Sequence, residues 1–425
     1  MERIAIIGSG IAGLGCAHFL HRHHDLTIFE AGEHVGGHTH TVADQEEDRE
    51  VAMDTGFMVY NEVTYPNLTR LFKELKVPTK ETVMSFSVHH GPSGVEWNGA
   101  GLNTLFAQRR NLLNLRHWRF LWQLNRFNSE AVAALDDPQF QMMTLAEYVA
   151  ARGYGQDFID RYLVPMGGAV WSTPPDKMLS FPAVTLLRFW HNHGFLGLHT
   201  QHQWRTVDGG AREYVKRLIP PFADRIHLRT PVTSVRRTPL AVEITTERFG
   251  MQRFDKVILA SHADQSLRLL ADPTEREREL LTPFKYQANK THLHTSDEVM
   301  PDIRRCWAAW NYRSTVQQGG EVATTTHYWM NQLQGVSDRV NYFVSLNAGD
   351  TIPAAKVCKE IDYEHPLFDL KAIAAQQELP RLNDPAEGNR TFYCGAWFRY
   401  GFHEDGLLSA VNLCTGLLGG DVWAK

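Results

Sequence analysis

The stretch Arg3-Ile-Ala-Ile-Ile-Gly8-Ser-Gly10-Ile-Ala-Gly13-Leu-Gly-Cys-Ala-His-Phe-Leu20 decides the fold. Ile4 to Ile7 read as a short buried strand, and the small and apolar residues that follow the glycines read as a helix. Gly8, Gly10 and Gly13 stand between them in G-x-G-x-x-G spacing. Gly8 allows the tight turn out of the strand, Gly10 lets the backbone approach a pyrophosphate, and Gly13 lets helix and strand pack closely. The helix N-terminus adds free N–H groups and the positive end of a dipole. A second apolar run, Leu26-Thr-Ile-Phe-Glu30, ends in an acid about 20 residues past the first glycine, where a ribose-binding carboxylate is expected. Glycines alone describe any tight βα turn. The strand before them, the helix after them and Glu30 at a strand end point to a dinucleotide site.

Composition sets the limits. A chain of 425 residues is long enough for about two or three domains. Its 43% hydrophobic and 21% charged content is that of a globular protein, and a net charge of −5 offers no basic field to nucleic acid. Cys16, Cys306, Cys358, Cys394 and Cys414 are odd in number and form no C-x-x-C, which suits reduced thiols in the cytosol. The glycines within residues 4–20 argue against a signal peptide. No later run reaches the roughly 18 apolar residues that span a bilayer. No pattern in the sequence fixes an oligomeric state.

Working outward, Ala31-Gly-Glu-His-Val-Gly36-Gly37-His38-Thr39 adds a second glycine pair, and Val51-Ala-Met-Asp54-Thr-Gly56-Phe57-Met58 reads as a strand running into a glycine turn. Near the other end, Thr391-Phe-Tyr-Cys-Gly395 reads as a strand with a glycine turn, and Tyr400-Gly-Phe-His-Glu-Asp-Gly406-Leu407 opens a final helix to about Leu418. Together these blocks resemble the flavin-containing amine oxidoreductase and phytoene desaturase superfamily. In finer detail, Gly36-Gly-His-Thr-His-Thr-Val42, Asp54-Thr-Gly-Phe-Met-Val-Tyr-Asn61, Tyr65-Pro-Asn-Leu68, His193-Gly194, Trp307-Ala-Ala-Trp-Asn-Tyr312 and Tyr400-Gly-Phe-His-Glu-Asp-Gly406 resemble a bacterial branch of predicted NAD/FAD-binding oxidoreductases. Members of that branch tend to occur with cyclopropane-fatty-acid synthase-like enzymes.

The resemblance implies an α/β chain: a Rossmann-like FAD-binding domain with a discontinuous α+β substrate domain. The FAD-binding parts are expected at 1–82, 204–284 and 388–425, and the substrate domain at 83–203 and 285–387. It implies one non-covalent FAD held by Gly8, Gly10, Ile11, Ala12, Gly13, Glu30, Ala31, Gly36, Gly37, His38, Thr39, Gly56, Phe57, Met58, Val232, Gly395, Gly406 and Leu407. The expected chemistry is hydride abstraction from a hydrophobic substrate, an unsaturated fatty acyl chain by association with the branch. Two departures bear on this. Asp405-Gly406-Leu407 differs from the family's usual Gly-Ala after the acid, and the usual Arg after Gly36-Gly37 is His38. Amine oxidation, flavin-dependent isomerisation and non-catalytic lipid binding stay open as alternatives.

In the substrate domain, residues 83–88, 291–295, 306–312, 321–330 and 341–347 are enriched in strand formers. Residues 102–135 and 144–170 look helical, with a Thr144-x-x-Glu147 capping box and Gly153 as a stop. Phe402 and His403 precede the final helix and are candidates for groups near the flavin ring, His403 as an acid–base group or as a hydrogen-bonding anchor. Glu404 and Asp405 read as helix caps. Lys290 begins a strand where some amine oxidases present a lysine to a water near the flavin. His21, His23 and His24, and the pairs 38/40, 191/193 and 292/294, lack companions at zinc-site spacing, so no metal is expected. Residues 102–127 hold Arg109, Arg110, Arg116, Arg119 and Arg126, no acid, and many Leu and Trp. That pattern fits a basic amphipathic helix on an anionic membrane as well as a domain helix with a solvated face. The expected location is cytoplasmic, with this segment as the place for a peripheral membrane contact.

Overall fold

The computed structural model describes residues 1–197, 200–384 and 389–424. Its centre is a five-stranded parallel sheet in the order Ile226–His227, Asp25–Phe29, Arg3–Ile7, Lys256–Leu259, Thr391–Tyr393. The strands alternate between two apolar layers, as a sheet covered on both faces requires. Ile4, Ile6, Leu26, Ile28, Ile258 and Phe392 pack with the fingerprint helix Ile11–Leu20 and the final helix His403–Leu418. Ala5, Ile7, Phe29, Val257, Leu259 and Tyr393 face the other way, toward a layer that includes Val235, Val242, Ile244 and Phe254. Those four come from an antiparallel sheet of Val232–Arg237, Val242–Thr246 and Gly250–Phe254.

A second, seven-stranded sheet runs in the order Val357–Leu367, Lys285–His294, Phe343–Leu346, Val322–Trp329, Trp310–Val316, Phe86–His90, Val95–Asn98. It is antiparallel except where Trp310–Val316 meets Phe86–His90. Helices between residues 102 and 192 pack beside it. Asp54 is the joint between layers. Its carboxylate accepts from Thr41 Oγ1 (2.5 Å), the Ala211 N–H (2.8 Å) and Gln334 Nε2 (2.7 Å), which come from three different parts of the chain. Burial pushes its carboxyl up to about 6 even against those donors.

Several expectations need correction. Residues 306–312 are not one strand: Arg304–Cys306 is a 3₁₀ turn and the strand starts at Trp310. The helix expected over 102–135 is broken into Leu102–Leu105, a 3₁₀ turn Arg109–Leu113 and Leu115–Ala134, because the Asn114 side chain accepts from the Arg116 N–H and starts a new helix. The helix expected over 144–170 ends at Arg152, with Gly153 in the left-handed conformation (φ +66°), and helical turns resume at Gln156. The capping box forms as read, with Glu147 Oε2 accepting from the Thr144 N–H at 2.7 Å. Strands Val95–Asn98 and Val357–Leu367 and helix Ala183–Asn192 were not anticipated. The domain boundary placed at 387/388 lies outside the described residues.

Candidate active site

The C-terminal edge of the parallel sheet opens into a cavity of about 770 Å³. Three loops are stitched together at its floor. The Gly8 N–H donates to the Phe29 carbonyl (2.8 Å), the Gly36 N–H to the Ser9 carbonyl (2.9 Å) and the Phe57 N–H to the His38 carbonyl (2.8 Å). Gly8 has φ +104°, and a Cβ there would stand 2.9 Å from the Ala260 carbonyl oxygen. A Cβ on Gly13 would overlap the Gly8 carbonyl oxygen, which is the close helix–strand packing read from the sequence. A Cβ on Gly10 would meet nothing within 4 Å, because that position faces the cavity. The helix that starts there has no side-chain cap and no acid in its first turn. Its free N–H groups are left for an anion.

Glu30 sits at the next strand's end and lines the cavity. Its carboxylate accepts from the Ser9 N–H (2.8 Å), the Ser9 hydroxyl (2.7 Å) and the Gly32 N–H (2.7 Å), so it is held rigidly at the mouth of the turn. A cluster of rings flanks the glycine loops. His38 stacks on Tyr363 at 4.9 Å, with His365 at 5.5 Å and His262 at 6.4 Å. Burial, with His365 and the other imidazoles beside it, holds the His38 imidazole well below the usual range. His38 Nε2 is buried without a partner and borders the cavity, which is what a donor awaiting a phosphate oxygen looks like.

The final helix packs alongside the fingerprint helix, Gly15 against Leu407 and Ala410. A Cβ on Gly406 would press on Ile11 at 2.8 Å, so both N-termini approach the same space. His403 is buried and stacks on Phe57 at 3.9 Å. The Tyr214 hydroxyl lies 2.8 Å from His403 Nε2. Burial pushes the imidazole down to about 3, so it is neutral and shares a hydrogen bond at Nε2 with the Tyr214 hydroxyl. Of the two roles read for His403, this geometry displays the hydrogen-bonding anchor. Asp405 caps the helix by accepting from the Phe402 N–H at 2.9 Å. Glu404 does not cap its own helix. It reaches across to the Asn67 and Leu68 N–H groups (3.0 and 2.9 Å) and caps helix Pro66–Glu74.

Away from the sheet the walls become aromatic. Phe402 stacks on Phe189 at 4.7 Å and lies 6.2 Å from Trp171; Trp310 and Tyr328 lie parallel at 5.8 Å. Phe195, Trp204, Met58 and Met84 complete this part. His193 stacks on Phe189 at 3.8 Å, and burial pushes it down to about 4.

Most of the residues read from the sequence converge here. Gly8, Gly10, Ile11, Ala12, Glu30, Ala31, Gly36, Gly37, His38, Gly56, Phe57, Met58, Val232, Gly395, Phe402, His403 and Gly406 line the cavity. Four do not. Gly13 packs helix on strand. Thr39 is buried with its hydroxyl 2.5 Å from Tyr214. Leu407 faces the core between the two helices. Lys290 stands on the outward face of its strand, half exposed, paired with Glu360 at 2.9 Å; it cannot present an amine to the cavity. Sequence reading missed Ser9, His262, Tyr286, Tyr363 and His365 on one side and Trp171, Phe189, Trp310 and Tyr328 on the other. No cysteine lines the cavity among the described residues. One group there has side-chain ligand atoms close enough to share a metal ion, His89, Glu96 and Asp302; none of the three lines the cavity, and none of the H-x-H pairs contributes.

The residues present fit FAD: an acid for the adenosine ribose, open backbone and an uncapped helix for the pyrophosphate, an unpartnered His38, and a second helix N-terminus over the inner cavity. Wild-type putrescine oxidase bound to putrescine has the same fold (TM-score 0.67, 13% identity, covering 98% of this chain and 99% of that one). So do cyclohexylamine oxidase from Brevibacterium oxydans (TM-score 0.67, 15% identity, 98% and 99%) and a CLA-producing fatty acid isomerase from P. acnes (TM-score 0.69, 17% identity, 97% and 98%). Flavin-containing amine oxidase A of Bos taurus is 23% identical over 265 residues, 60% of this chain and 48% of that protein. The chain thus spans about half the length of the curated relative it matches. Residues 11–356 match the model of the flavin-containing amine oxidoreductases, so the chain belongs to that family and its cofactor is FAD.

Proposed function

We propose that the protein is an oxidoreductase that takes a hydride from a hydrophobic substrate, an unsaturated fatty acyl chain. The observation that carries this reading is the wall chemistry. Among the described residues, the carboxylates lining the cavity are Glu30 and Glu364, and both belong to the sheet end, Glu364 beside His262 at 3.4 Å. The inner end offers Trp171, Phe189, Phe195, Trp204, Trp310 and Tyr328 and no acid to pair with a charged substrate. An acyl chain needs apolar surface of this kind, and each buried methylene contributes about 0.8 kcal/mol.

FAD supplies the two-electron acceptor. The chain's residues do the rest. Glu30 and the uncapped fingerprint helix would hold the adenosine diphosphate half, and the final helix would bring its N-terminus, with the buried acids Glu404 and Asp405 in its first turn, to the inner end. The aromatic walls exclude water, and Phe402, held by Phe189, sets how closely a substrate approaches.

Amine oxidation is the second reading. Membership of the flavin-containing amine oxidoreductases favours it, although Trp310 and Tyr328, partners on adjacent strands with ring centroids 5.8 Å apart, leave no slot for an amine between their faces. Anaerobic mixing of the FAD-loaded protein with unsaturated fatty acids and with primary amines tests both. Flavin bleaching by the acid, with a product two hydrogens lighter, supports the acyl reading. Bleaching by amines alone, with aldehyde formed, overturns it. A shifted double bond with the flavin colour restored makes the reaction an isomerisation.

A further inference from the structure

Helix Leu115–Ala134 buries one face and exposes large apolar residues on the other. The inner one buries His117, Phe120, Gln123, Phe127 and Ala131 and packs on helix Ala183–Asn192, with Phe127 and Trp190 at 5.8 Å. The outer face of such a helix is ordinarily polar. Here Leu115, Trp118 and Trp122, at i, i+3 and i+7, occupy it with 84%, 48% and 59% of their surface exposed. The preceding turn adds Leu113 at 92% and Leu112 at 47%. Trp118 Nε1 donates to the Leu112 carbonyl at 2.9 Å and its ring lies 5.1 Å from Phe106, so turn and helix form one surface.

The segment's own charges have one sign. Residues 102–127 hold five arginines and no acid. Arg116 engages Asp157 and Arg126 engages Glu130. Arg109, Arg110 and Arg119 are exposed and meet no carboxylate among the described residues; Arg109 and Arg110 reach only neutral oxygens of Asn103, Phe106 and Gly94. A nucleic acid would use the arginines but not the exposed leucines. A second copy of the chain would cover the leucines but bring like charges together. A bilayer with anionic headgroups takes both, guanidinium groups at the headgroups and Leu and Trp at the acyl boundary.

We infer that the Leu112–Trp122 surface docks on an anionic lipid bilayer. The inference is independent of the substrate reading. It places the bilayer one helix away from the inner cavity, because Ala183–Asn192, which supports the docking helix, also carries Phe189 into the wall.

The test is co-sedimentation of the FAD-loaded protein with vesicles of phosphatidylcholine alone or mixed with phosphatidylglycerol. Sedimentation with the anionic vesicles at low salt and release at high salt are expected. Each of Arg109→Gln, Arg110→Gln and Arg119→Gln should weaken partitioning about fivefold. Combining Leu113→Ser, Leu115→Ser and Trp122→Ser should abolish it with FAD content intact, since these side chains are exposed. Absence of binding at low salt, equal binding to both vesicle types, or binding that survives the serine substitutions overturns the inference. So does a dimer that the serine substitutions dissociate and that ignores vesicles.

Discussion

The sheet end of the cavity is held by hydrogen bonds and the inner end by ring contacts. At the sheet end, Glu30 takes three donors and successive glycine loops exchange backbone bonds, so direction is constrained as well as distance. At the inner end, Phe189 touches His193, Tyr400 and Phe402 through their faces and edges, and shape matters more than direction. On the proposed reading, one end demands a particular dinucleotide and the other takes a class of apolar molecules.

Acid should break both ends, with the largest effect. His365 at the sheet end and His193 at the inner end are each held down to about 4, and His403 between them to about 3. Their folded values lie below the unfolded value of about 6.5, so their stabilisation is complete above that pH and lost as pH falls toward 4. Each costs up to about 2 kcal/mol between pH 6.5 and 5. Urea unfolding of the apoprotein at both pH values checks this; the raised carboxyls of Asp54 (about 6) and Asp405 (about 7) gain stability over the same window and offset part of the loss, so a midpoint that rises on acidification would show the imidazoles are not neutral in the fold.

Phe189→Ala separates the ends. It should cost about 3–5 kcal/mol of stability and substrate turnover, yet leave FAD bound at low temperature, as read by thermal melts and the flavin spectrum. Gly13→Val attacks the other end. The new side chain collides with backbone at Gly8, so a loss of about 3 kcal/mol and a colourless protein are expected.

Glu30→Ala is milder. Losing a charge-assisted ribose contact should weaken FAD about ten- to a hundredfold in titrations of the apoprotein, with turnover at saturating FAD preserved. Unchanged affinity would move the ribose elsewhere. Lys290→Met should do nothing to FAD content, turnover or melting, because its ammonium faces water. A changed rate would return that lysine to the chemistry.

The sheet end was largely legible because its signals are local. Glycine spacing, an acid at a strand end and a helix closing at Leu418 are all written within short stretches. The inner end was not, because Trp171, Phe189, Trp310 and Tyr328 come from separate elements and look like ordinary core residues in sequence. Strand Val357–Leu367 was missed since it lies at a sheet edge and mixes Lys359, Glu360, Asp362 and Glu364 among its residues, which hides any apolar period. Lys290 was misplaced because which face a strand residue takes depends on register. Thr39 and Leu407 followed a family pattern whose neighbours turn inward here, toward Tyr214 and the core. The neutrality of His403 follows from burial that no local pattern announces.

The order of strands in the parallel sheet also has a schedule. Arg3–Ile7 and Asp25–Phe29 are made first, but Lys256–Leu259 keeps an open edge until Thr391–Tyr393 has been synthesised. At ordinary translation rates that wait is on the order of ten seconds. The final helix, which contributes His403 and Gly406 to the cavity, arrives later still. A nascent chain therefore carries an adhesive strand edge and only part of its flavin site. Cofactor loading is expected to follow synthesis of the final helix.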